Sequence, residues 1–120
     1  MKKLLLIIAF IAITVSAFCQ DTERAYAAQV GTWSKVKSDW VWGNVQKVNL
    51  TITFDKSVVS INNEMGSVFE TLEIFDKKDD HITWKSLDEE YITCYLTMQY
   101  TDDYTVLIIT YDNACFRYYY

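Results

Sequence analysis

The feature that most constrains this chain is an alternation of period two. From Lys47 to Asp55, Val48, Leu50, Ile52 and Phe54 fall on one side, and Lys47, Asn49, Thr51, Thr53 and Asp55 on the other. From Tyr91 to Tyr100, Ile92, Cys94, Leu96 and Met98 alternate with Thr93, Thr97 and Gln99. A helix would scatter these residues around its axis, whereas a strand turns every second side chain to the same face. Composition agrees: proline is absent, glycine is limited to Gly31, Gly43 and Gly66, and Tyr, Trp, Phe, Thr, Val and Ile are plentiful, a set suited to pleated, half-buried surfaces. Further strands are expected near Thr32–Lys37, Val58–Asn62, Val68–Phe75, His81–Ser86, Tyr104–Tyr111 and Cys115–Tyr120. Polar turns separate them at Asp55-Lys56, Asn62 to Gly66, Asp76 to Asp80, Asp88 to Glu90, Asp102-Asp103 and Asp112-Asn113. Short loops between consecutive strands imply a single all-β domain: an antiparallel up-and-down meander of about eight strands. Such a meander closes into a small barrel or a strongly curled sheet, which hides its edges. Asp21 to Gln29 stays ambiguous and also reads as a short helix capped by Asp21 or Thr22.

The N-terminus has the three parts of a secretory signal peptide. Lys2 and Lys3 give a positive start, Leu4 to Val15 is an uncharged apolar run, and Ser16, Ala17, Phe18 and Cys19 lead into the polar Gln20 and Asp21. The apolar run falls well short of the about 20 residues a spanning helix needs. Ala17 and Cys19 supply small residues at −3 and −1, so cleavage is expected between Cys19 and Gln20. Lipidation of Cys19 is disfavoured by the bulky Phe18 before it. The expected organisation is therefore a signal peptide over residues 1–19 and one β domain over 20–120, periplasmic or secreted, with no integral membrane span after cleavage. The whole chain carries a formal charge of −5, and loss of Lys2 and Lys3 makes it more acidic. Such a domain repels nucleic acid and anionic lipid.

No catalytic, cofactor or metal constellation stands out. Cys94 and Cys115 remain after cleavage, and an oxidising compartment favours pairing them. Register opposes it: two-residue turns at Asp102-Asp103 and Asp112-Asn113 place Cys94 opposite Tyr111 and Cys115 opposite Thr110, on opposite faces and two strands apart. No Cys/His spacing of a metal site accompanies them. His81, the sole histidine, sits at a polar turn where solvation is the ordinary outcome. The clusters Asp76/Asp79/Asp80 and Asp88/Glu89/Glu90 lack the calcium-loop pattern with its central glycine and read as solvated turns. The aromatics are more suggestive. Trp40-Val41-Trp42 puts two indoles on one face of any extended segment, and Tyr118, Tyr119 and Tyr120 end the chain. Exposed aromatics stack on sugar rings or anchor protein partners, although a small β core is itself built of such residues.

Gly31-Thr32-Trp33 resembles the Gly-x-Trp signature of the calycins: lipocalins, fatty-acid-binding proteins and avidins. That resemblance implies a Trp33 that closes one end of an antiparallel barrel and packs beneath Arg117 on the last strand, with Gly31 leaving room beside the ring. The chain also resembles a group of short exported β proteins common in Bacteroidetes, through Lys2-Lys3, Ile82-Thr83-Trp84, Leu87-Asp88-Glu89, Cys94 and Tyr111-Asp112-Asn113 with Tyr118. That second resemblance implies a compartment and a bacterial source but no activity. The expected function is a non-enzymatic binding or interaction module, with Trp40 and Trp42 as binding residues and Gly31, Trp33 and Arg117 as structural ones. Its partner is a protein, a small molecule or a glycan. The alternatives are a small inhibitor of a secreted hydrolase, entering it through Gln20 to Gln29, and a carrier of a small apolar ligand in a calycin-like barrel.

Overall fold

A computed structural model describes residues 18–63 and 66–120, with side chains from residue 21 onward. Most of the expected signal peptide, residues 1–17, therefore lies outside the described residues. The described chain is all-β. Nine strands follow in order: β1 (Phe18–Ser34), β2 (Asp39–Trp42), β3 (Gln46–Lys56), β4 (Val58–Ile61), β5 (Ser67–Lys77), β6 (His81–Leu87), β7 (Thr93–Tyr100), β8 (Thr105–Thr110) and β9 (Ala114–Tyr119). From β3 to β9 each strand pairs antiparallel with the next, and β1 joins β3 on one side and β9 on the other. Eight strands thus close an up-and-down barrel. The ninth, β2, pairs with the far end of β1.

The period-two pattern fills the barrel as expected. Ile52 and Phe54 of β3, Val59 and Ile61 of β4, Ile82 and Trp84 of β6, Cys94, Leu96 and Met98 of β7, and Leu107 and Ile109 of β8 form one buried cluster. Val48, Leu50, Phe116, Tyr118 and Tyr120 pack against its ends. The two predicted turns hold: Tyr95 pairs with Thr110, and Thr110 with Cys115. Cys94 and Cys115 are accordingly free thiols.

Three details depart from the expected strand map. Asp21 to Gln29 is not helical but lies within β1, which begins at Phe18 rather than near Thr32. Pairing with β3 and β9 outweighs the capping signals in this stretch. It also leaves no free N-terminal arm over Gln20 to Gln29. The seventh strand starts at Thr93, not Tyr91: the Asp88 carboxylate accepts the N–H groups of Glu90 and Ile92 at 2.9 Å each, and Tyr91 takes a positive φ of 62°, a local loop that competes with the ladder. Third, β1 carries a bulge. Glu23 and Ala25 pair with the inward Ile52 and Leu50, but the register slips by one before Ala27, which pairs with the outward Lys47. A one-residue slip exchanges inside for outside. Beyond it Ala28 and Val30 align with the inward Tyr118 and Phe116, whereas Gln29 and Gly31 align with Arg117 and Cys115 on the outer face.

Candidate functional site

The bulge decides where the five residues singled out in the sequence come to lie. After it, Gln29, Gly31 and Trp33 point away from the barrel interior. On one flank Gly31 pairs with Trp42 and Trp33 with Trp40, so the alternation of β2 delivers both of its indoles to the same outer face. On the other flank β9 presents Cys115, Arg117 and Tyr119 outward. Gly31, Trp33, Trp40, Trp42 and Arg117 therefore form one surface cluster, although they come from three strands.

The contacts within it run in a chain. Trp33 meets Trp40 edge-on with ring centroids 5.4 Å apart, and Trp40 lies 6.3 Å from Trp42. The Arg117 guanidinium sits 3.5 Å above the centre of the Trp42 ring. The stack thus forms on Trp42 and not on Trp33, where the calycin resemblance placed it. The reason is register: Trp33 lies beyond the end of β9, beside the turn residue Asn113, whereas Trp42 faces Gly31 and reaches across it toward Arg117. The glycine is required for this. A Cβ at position 31 would stand 2.8 Å from Cε3 of Trp42, closer than atoms approach. A guanidinium laid flat on an indole contributes about 0.5–2 kcal/mol. Gln29 ties the corner together: its amide donates to the Gly43 carbonyl at 2.8 Å, and its Oε1 accepts from Tyr119 at 3.4 Å and from Arg117 at 3.5 Å. Tyr104 then meets Tyr119 edge-on at 5.4 Å. Beside Arg117 and Tyr119 a recess of about 190 Å3 opens, lined also by Gln99, Thr101, Tyr104, Val106 and Ile108. Sequence reasoning noted Tyr119 only within the terminal Tyr118–Tyr120 run and missed Gln29, Gln99, Thr101 and Tyr104. No local pattern marks them, because closure of β9 on β1 brings them to the cluster.

A second concavity lies at one barrel end. Phe69, Ile109, Tyr111, Ala114, Phe116 and Tyr118 line an apolar recess of about 410 Å3, and an adjoining recess shares Phe69 and Tyr111 and is rimmed by Asp88, Glu89 and Glu90. Two of these carboxylates are committed locally. Asp88 accepts the Tyr111 hydroxyl at 2.9 Å, and Glu89 accepts the Val68 N–H at 2.8 Å. Burial opposes the charge on Asp88, yet its bonds from Ile92, Tyr111 and Glu90 outweigh that and hold the carboxyl below its ordinary range. Burial, with the nearby Asp88 charge, pushes the Cys94 thiol up to about 11, and burial raises Cys115 as well. Neither is a ready nucleophile, since the thiolate is the reactive form. At the opposite end His81 is gripped by two carboxylates, Nδ1 to Asp80 at 2.8 Å and Nε2 to Asp76 at 3.1 Å. Among the described residues no group of His, Cys, Asp and Glu is arranged to hold a metal ion, and no helix is long and apolar enough to cross a membrane. The chain matches no protein-family model, no curated protein and no solved structure.

Proposed function

We propose that this protein is a non-enzymatic binding module acting in the periplasm or outside the cell, and that the Trp33–Trp40–Trp42 face is its binding surface. One observation carries the reading: three indoles stay partly exposed on one outer face (Trp33 is 39% accessible), yet Gly31, Arg117 and the β1–β2 pairing hold them in fixed contact. Rigid, amphipathic rings that lose little entropy on contact are what recognition surfaces use. The test is a binding screen against soluble glycans and peptides, read from indole Nε–H resonances of the mature domain. A genuine ligand shifts the indole signals of wild type, binds at least about tenfold more weakly to Trp40→Ala, and leaves the thermal melt of that variant close to wild type. Ligands that bind Trp40→Ala and wild type alike would place the surface elsewhere.

The barrel-end recess supports a second reading, a carrier of a small apolar molecule. Its volume of about 410 Å3 suits a small ligand, and Val30 and Val41, 50% and 44% exposed, continue an apolar surface along the inner side of the β1–β2 projection. Saturable one-to-one uptake of a fluorescent fatty acid, abolished by Phe116→Asp and untouched by Trp40→Ala, would favour it.

A further inference from the structure

Charge is distributed unevenly over the barrel wall. The chain has sixteen Asp and Glu residues, yet the outward positions of four adjacent strands contain none. These positions are Ala27, Gln29, Gly31 and Trp33 on β1, Cys115, Arg117 and Tyr119 on β9, Val106, Ile108 and Thr110 on β8, and Tyr95, Thr97 and Gln99 on β7. Asp102, Asp103 and Asp112 sit in turns that bound this panel. Arg117 is the one charged group among the positions named; Arg24 also points outward on β1 but lies before the bulge, where it donates to Asn49. No carboxylate among the described residues pairs with it; its partners are the Trp42 ring and the oxygen of Gln29. A half-buried guanidinium in an acidic protein ordinarily collects a carboxylate, and here the recess beside it contains no acid and is lined by Gln99, Thr101, Tyr104, Val106, Ile108 and Tyr119.

From this arrangement we infer that the Arg117 recess receives the carboxylate of an acidic sugar, whose ring lies along the Tyr104 and Tyr119 wall of the recess, while Trp42 backs the guanidinium. The inference rests on the binding face proposed above and names its ligand class. Guanidinium and carboxylate match in planar, two-pronged geometry. The phenols, with Val106 and Ile108, offer apolar surface to the C–H side of a sugar ring, and Gln99 is the partner for its hydroxyl groups; Gln29 and Thr101 are bonded to Gly43 and to Tyr104. A recess of about 190 Å3 suits a single ring better than a protein partner, which needs a broad, continuous dry centre.

The experiment titrates the mature domain with trigalacturonic acid and, separately, with its fully methyl-esterified form, and follows the indole and Arg117 side-chain resonances. The ligands share one sugar backbone and differ at the carboxylates, which the ester caps with uncharged methyl groups, so wild-type protein suffices and no variant need fold. The acid is expected to bind about tenfold or more tightly than the ester, with an affinity that falls as salt rises. Arg117→Gln is expected to abolish the difference, and Arg117→Lys to retain part of it. Equal binding of acid and ester would overturn the inference while leaving the aromatic face as the binding surface. Failure of both to shift any indole resonance would overturn it as well, and the proposed face would then stand or fall on the screen with Trp40→Ala.

Discussion

At the scale of single residues, Gly31 has the most exacting position. A methyl group there collides with the Trp42 ring, so Gly31→Ala either overpacks the site or expels the indole from beneath Arg117. The expected cost is about 1–3 kcal/mol, seen as a lower midpoint in urea together with loss of near-ultraviolet dichroism from Trp42. An unchanged melt and spectrum would mean the ring is not held as described. Tyr120 makes the opposite case. Its hydroxyl is buried without a hydrogen-bond partner among the described residues, and burial holds its pKa well above the ordinary value. Tyr120→Phe should therefore be neutral or stabilising by up to about 1 kcal/mol, because an unsatisfied buried group is removed at nearly constant shape. A clear loss in the same urea experiment would reveal a partner for that oxygen. His81 sets a pH dependence. Its hydrogen bonds to Asp76 and Asp80 raise its pKa above 6.5, so the stability it contributes is complete below about 6.5 and lost as pH rises through the raised value. Asp76 and Asp80 are lowered by the same bonds; their contribution is present above about 4 and lost as pH falls through their lowered values. Stability should be greatest between these limits, and His81→Gln should flatten the alkaline side of the profile. A His81 proton signal titrating at or below 6.5 in the folded protein would contradict the clamp.

At the scale of elements, β3 is where sequence pattern and burial agree most closely. Ile52 is fully buried, Leu50 only partly, and Thr51 lies on the outer side of the same strand. Ile52→Ala should cost about 2–5 kcal/mol, Leu50→Ala less, and Thr51→Ala under about 1 kcal/mol. Denaturant melts giving Thr51→Ala the largest loss would turn the strand inside out. The element the sequence conceals is β1. Its seventeen residues show no single alternation, because the bulge between Ala25 and Ala27 changes the phase midway. Read in either half alone, the phase mispredicts the other. That is why Asp21 to Gln29 also reads as a short helix and why the facing of Trp33 does not follow from the residues around it.

For the molecule as a whole, closure of β1 on β9 governs what is accessible. It buries Cys94 and Cys115, with burial raising each thiol pKa. An aromatic disulfide reagent at pH 8 should label neither Cys94 nor Cys115 in the folded chain and both after unfolding in guanidinium. Labelling at a rate independent of denaturant would mean the seam opens locally. The alternation of β3, β7 and β8, the polar turns and the two-residue hairpins at Asp102-Asp103 and Asp112-Asn113 are local properties, and they determine the all-β meander, the core and the separation of Cys94 from Cys115 without reference to any tertiary contact. The aromatic pair Trp40 and Trp42 was legible for the same reason, since two residues apart on any strand share a face. Which indole lies under Arg117, that Gln29 and Tyr119 join it, and that an acid-free panel surrounds it were decided only in three dimensions. They depend on the phase of a bulge and on a pairing between chain segments some ninety residues apart, and no short-range pattern records either.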